Sequence, residues 1–132
     1  MMSKRALSVA LVICLAAASA QAFSFDFDWS GLKLCTSGNP NTVGSPRFVL
    51  KDVPKGTAFI RFKLVDRDVP DFNHGGGIVP WTGETTIEAG AFKYKSPCPP
   101  SGSHTYEWTA VAQTKKNGGA LAKAKASLQY PE

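Results

Sequence analysis

The chain has 132 residues, with fifteen Lys and Arg against ten Asp and Glu, a formal charge of +5, and three cysteines. That length suits one domain around a single core, burying roughly 65% of its unfolded surface, and leaves no room for a second catalytic domain. Its longest apolar run falls short of the ~20 residues that a bilayer span needs, so no transmembrane anchor is expected.

Lys4 and Arg5 precede an uncharged, mostly apolar run from Ala6 to Ala18, and Ala20-Gln21-Ala22 follows as a small-x-small cleavage pattern. This predicts a secretory signal over residues 1–22, cut after Ala22, and one mature domain over residues 23–132. The protein would then be secreted or periplasmic. Removing 22 of the 132 residues leaves 110, takes away two cations and Cys14, and lowers the formal charge from +5 to +3. Cys35 and Cys98 remain. An even count in an oxidising compartment argues for a disulfide between them, with two buried free thiols as the alternative.

The mature region shows no repeat and reads as one all-β domain. Phe23, Phe25, Phe27 and Trp29 alternate with Ser24, Asp26 and Asp28, which suits a strand of the domain's own sheet or a partner-facing edge. Ser45 to Leu50 supplies a strand. Val53-Pro54-Lys55-Gly56 is turn chemistry, with Pro fit for position i+1 and Gly for a positive φ. From Thr57 to Asp66 the apolar set Ala58, Ile60, Phe62 and Leu64 alternates with Phe59, Arg61, Lys63 and Val65, predicting a strand with one interior face. Asp66 to Trp81 and Ser96 to His104 are rich in Pro, Gly and Asp, and are expected as long irregular loops of the kind that carry sites. His104 to Ala112 is a further strand, and Asn117-Gly118-Gly119 a turn. Ala120 to Gln129 is built of helix formers, but its period of two would set Lys123 and Lys125 astride a helix, so a strand is expected.

Asp66 and Asp68 lie two apart and share the parity of the interior face, so burying them requires donors nearby. His74-Gly75-Gly76-Gly77 could aim backbone amides at an anion. A hydrolase would also need a nucleophile on a Gly-x-Ser-x-Gly elbow, and the chain has none. A calcium loop counted from Asp66 would put Asp71 where Gly is required and Gly77 where Glu is required. No zinc spacing is present, and neither metal nor any other cofactor is expected. The cations are dispersed along the chain, which argues against a nucleic-acid partner.

Asp66-Arg67-Asp68-Val69-Pro70, His74 and Pro97-Cys98-Pro99-Pro100-Ser101-Gly102-Ser103-His104-Thr105-Tyr106 resemble, in order and spacing, the signature elements of the phosphatidylethanolamine-binding protein (PEBP) family. The likeness is to its small bacterial branch, labelled Raf kinase inhibitor-like or phospholipid-binding, and it extends over residues 45–130. The resemblance implies a β-sandwich of two packed antiparallel sheets, shortened and without the family's C-terminal helix, with a small anion pocket at one end for phosphate, carboxylate or phospholipid-headgroup-like ligands. It implies Asp66 as the pocket carboxylate, His74 and His104 as the pocket histidines, Tyr106 as a phenolic donor, and Pro97, Pro99 and Pro100 as the wall. Asp68 and Pro70 would support the turn, and Gly75 and Gly76 would contribute amides. Asp66 would repel a phosphate directly, so its expected role is to hold a pocket histidine in its donor state. Gly75 stands where larger members carry an aromatic after the histidine, which predicts a shallow, open site. The resulting expectation is an exported, non-enzymatic binding protein whose partner is a small anion or phospholipid headgroup. The alternative is a protein-interaction module, such as a protease inhibitor, using the same pocket on an exported partner protein.

Overall fold

In the computed structural model, which describes residues 2–3, 5–13 and 22–132, the chain from Ser24 onward forms nine strands, and no helix occurs among the described residues. The strands are β1 (Ser24–Phe27), β2 (Thr42–Gly44), β3 (Phe48–Lys51), β4 (Phe59–Asp66), β5 (Gly76–Pro80), β6 (Thr86–Ile87), β7 (Lys93–Lys95), β8 (His104–Lys115) and β9 (Gly118–Tyr130). No helix among the described residues is long and apolar enough to cross a membrane. Cys14 and residues 19–21 of the expected cleavage segment lie outside the described residues.

All pairings are antiparallel. The largest sheet has the order β5-β4-β8-β9, a second the order β1-β3-β6, and β2 pairs with β7. Period-two alternation gives the large sheet one apolar face, carrying Ile60, Phe62 and Leu64 from β4 and Tyr106, Trp108, Ala110 and Ala112 from β8, all buried. The smaller sheets cover that face. Phe48 stacks on Phe62 with ring centroids 4.1 Å apart, and Trp108 meets Phe48 edge-on at 5.4 Å. Small side chains at Ala110, Ala112 and Ala124 leave the volume these rings fill.

The N-terminal aromatics join this core. β1 pairs with β3, Phe25 is 4% exposed, and the Trp29 indole N–H donates to the Gln129 carbonyl at 3.0 Å. They therefore belong to the domain's own sheet, in which β1 is an edge strand. Residues 120–129 lie within β9, as the period predicts and helix propensity does not. β4 begins at Phe59 rather than Thr57, because the Thr57 amide and hydroxyl both donate to the Pro54 carbonyl and close the preceding turn. β3 begins at Phe48 rather than Ser45, whose amide is taken by the Phe92 carbonyl.

The larger departure concerns Asp66 to Trp81, expected as an irregular loop throughout. Its second half is β5, paired with β4 from Phe59↔Pro80 to Lys63↔Gly76. Glycine suits this strand because its neighbours come close. A Cβ on Gly76 would overlap the Phe62 carbonyl, and one on Gly77 would overlap the Phe92 ring.

Candidate functional site

Asp66 closes β4 on its inward parity, opposite Tyr106 of β8, and is 4% exposed. Its carboxylate is fully engaged. Oδ1 accepts the backbone N–H groups of Asp68 at 2.9 Å and Val69 at 3.2 Å, and Oδ2 accepts His104 Nδ1–H at 2.7 Å. Asp68 acts as a strut: its Oδ2 accepts the Thr105 amide at 2.8 Å and fastens the turn to β8. Asp66, Asp68 and His104 bring donor atoms within 4.8 Å of one another. Each carboxylate already accepts N–H groups of the protein, Asp66 at both oxygens and Asp68 at Oδ2.

His74 is 2% exposed and lies just before β5, with its ring centroid 4.6 Å from that of Phe72 and 5.5 Å from that of Tyr106. Its Nδ1 is 2.8 Å from the Lys95 carbonyl, which can only accept, so Nδ1 carries the proton. Burial pushes the His74 pKa down, against the opposing pull of the Lys95 carbonyl and the Asp66 charge. A neutral ring protonated at Nδ1 leaves Nε2 as an acceptor. Tyr106 is pushed the other way, first by burial and then by the Asp66 charge, so its phenol keeps its proton.

These groups converge. Asp66, His74, His104 and Tyr106 line a cavity of about 220 Å³ whose wall is Cys98, Pro99 and Pro100, joined by Gly38, Pro40, Val69 and Phe72. Pro97 is fully buried behind the wall and does not line the cavity. Asp68 and Pro70 also lie outside the lining. Gly75 and Gly76 are placed elsewhere, in a separate depression with Arg61, Lys63, Asn73 and Lys116. The Gly75 amide is turned to the Asn73 side chain at 2.9 Å.

Cys35 and Cys98 form a disulfide across a sequence separation of 63 residues. It pins the segment after Cys35 against the proline wall, where a Cβ on Gly38, at φ +80°, would come 3.2 Å from Pro100 Cβ. Gly38 and Pro40 escaped the sequence reading, although a bridge to Cys98 implies that the residues after Cys35 approach its neighbours. Val69 and Phe72, 45% and 38% exposed, escaped it too. They form an apolar lip, with Lys95 Nζ lying 5.9 Å from the centroid of the Phe72 ring.

No protein-family model and no curated protein matches the chain. Solved structures do. Escherichia coli YbcL, described as a new member of the mammalian PEBP family, superposes with a TM-score of 0.60 at 18% identity, over 83% of this chain and 98% of that one. The PEBP homologue CT736 of Chlamydia trachomatis gives a TM-score of 0.59 at 16% identity, over 84% of this chain and 98% of that one. At these identities the likeness establishes the fold, and the chain has the PEBP fold.

Proposed function

We propose that this protein is an exported, non-enzymatic binding protein whose cavity takes a small oxyanion, such as phosphate, a carboxylate or a phosphorylated headgroup. The observation that carries the reading is the bond from His104 Nδ1 to buried Asp66, which leaves Nε2, a donor when the ring is protonated, without a partner among the described residues and on a residue that lines the cavity. Asp66, although it lines the cavity, thereby supports anion recognition through His104, with both of its oxygens already accepting N–H groups. Tyr106 adds a hydroxyl donor, while neutral His74 offers an acceptor at Nε2. A ligand that both accepts and donates satisfies all three, so a protonated phosphate or a carboxylic acid fits better than a fully ionised oxyanion. A volume of about 220 Å³ suits a headgroup rather than an acyl chain.

The cysteine that lines the cavity, Cys98, is held in the disulfide with Cys35. Export agrees with that disulfide and with the signal-like N-terminus. Crystals soaked in phosphate and in phosphoethanolamine test the proposal. Density bonded to His104 Nε2 and the Tyr106 hydroxyl is expected, with affinity between millimolar and micromolar, or about 4–8 kcal/mol. An empty cavity at saturating ligand would reject it and favour a protein partner seated on the Val69 and Phe72 lip.

A further inference from the structure

The other face of the large sheet carries no part of this cavity, and its charge is one-sided. Antiparallel pairing puts Arg61 opposite Val111 and Val111 opposite Lys123, and puts Lys63 opposite Thr109 and Thr109 opposite Lys125. Residues so paired share a face, and all four of these cations are exposed. Arg67 reaches the same face from the turn after β4. One carboxylate, Glu107, lies among them, held by Arg67 at 2.9 Å and Lys125 at 3.7 Å. Five cations against one carboxylate leave an excess of four, nearly the +5 of the whole chain, two of whose cations belong to the expected leader. The cations that look dispersed along the sequence are gathered by strand register.

We propose that this face docks on an anionic phospholipid bilayer. Neighbouring cations stand about 7 Å apart along a strand and about 10 Å apart across β8, a two-dimensional grid that suits a planar charged surface better than a single polymer chain. Between the cations lie Val65, Thr109 and Val111, and the aromatic that β4 places on this face, half-buried Phe59, stands at its end beside Arg61 rather than among the cations. Leu121, 45% exposed on the same strand as Lys123 and Lys125, supplies an apolar contact. Lysine stems can lie along such a surface while their ammonium groups reach headgroup phosphates. The adjacent depression reinforces the charge, since Arg61, Lys63 and Lys116 line it together with Asn73 and the glycines, and among the described residues no carboxylate does.

Vesicle co-sedimentation tests this directly. The purified protein is expected to bind vesicles of equimolar phosphatidylglycerol and phosphatidylcholine, to leave pure phosphatidylcholine vesicles in solution, and to be released by about 0.5 M NaCl. Each cation neutralised on this face should weaken binding roughly fivefold, so Lys123→Gln with Lys125→Gln should cost on the order of twentyfold, and Lys63→Gln should add to it. Neutralising Lys33 and Lys93, which lie off the face, should change little. Equal loss in that control pair would show that net charge alone acts and would overturn the proposal. So would equal binding to neutral vesicles, or retention on heparin or single-stranded DNA at salt that strips the vesicles. The Lys123 and Lys125 variants keep the His104 cavity, so phosphate affinity reports on the pocket separately.

Discussion

His104 Nδ1 donates to Asp66 Oδ2 at 2.7 Å, while the other oxygen of the same carboxylate gathers the amides of Asp68 and Val69. One buried side chain thus orients the imidazole and shapes the turn beside it. Replacing Asp66 with Asn separates these tasks. The amide oxygen can still accept the two backbone N–H groups, but the amide nitrogen then meets His104 Nδ1 and favours the tautomer protonated at Nε2 with no charge behind it. A charge-assisted bond contributes about 1.5–3 kcal/mol, so phosphate affinity in Asp66→Asn should fall roughly tenfold or more. Calorimetric titration, with nitrogen-15 shifts of His104 as the tautomer readout, checks this. Unchanged affinity would remove Asp66 from the recognition mechanism.

His74 should make stability depend on pH. Its folded pKa lies below the ordinary 6.5, chiefly through burial. The unfolded chain therefore takes up the proton first as pH falls, and stability rises with pH wherever the unfolded state binds more protons. The contribution of neutral His74 is complete above the unfolded pKa and is lost progressively as pH falls from there through the folded pKa. Urea midpoints measured between about pH 4.5 and 8 should decline below about pH 6.5. In His74→Gln that part of the decline should flatten, even though the variant starts less stable. An unaltered profile would place the titration in another group.

The inward parity of Asp66 was legible because period two is a local property. Ile60, Phe62 and Leu64 announce the face, and the eight-residue strand simply carries it on to Asp66. The same holds for β9, where alternation outweighs the helix propensity of Ala and Lys. Short strands offered no such signal: β6 has two residues and β7 three, and each exists through a partner distant in sequence. The cavity lip was hidden for the same reason. Gly38 and Pro40 enter only through the Cys35–Cys98 bridge, and Phe72 only through its packing on His74.

The glycine run shows how one composition supports two readings. A cradle for an anion and a strand pressed against neighbours both need residues without Cβ, and only the positions of the Phe62 carbonyl and the Phe92 ring decide between them. Gly76→Ala should accordingly disrupt the pairing of β4 with β5 and lower stability by about 2–4 kcal/mol, through overlap with backbone that cannot move aside cheaply. Gly75→Ala meets open space, but at φ +76° it should cost about 1 kcal/mol. Phosphate affinity should survive in Gly75→Ala, since its amide faces Asn73. A large loss there would return the glycine amides to the binding site.

The disulfide should couple stability to the cavity. Closing a loop across a sequence separation of 63 residues restricts the unfolded chain by an amount worth about 4 kcal/mol in the chain-entropy account. The same bridge holds Gly38 and Pro40 against Pro99 and Pro100, so its removal frees one wall of the cavity. A Cys35→Ala, Cys98→Ala double variant should unfold at lower urea, losing about 2–5 kcal/mol, and should bind phosphate more weakly even where it is fully folded. Measuring affinity at a temperature well below the variant's own melting point separates the two effects. If binding then matches the oxidised protein, the proline wall holds its shape without the bridge, and the bridge contributes stability alone.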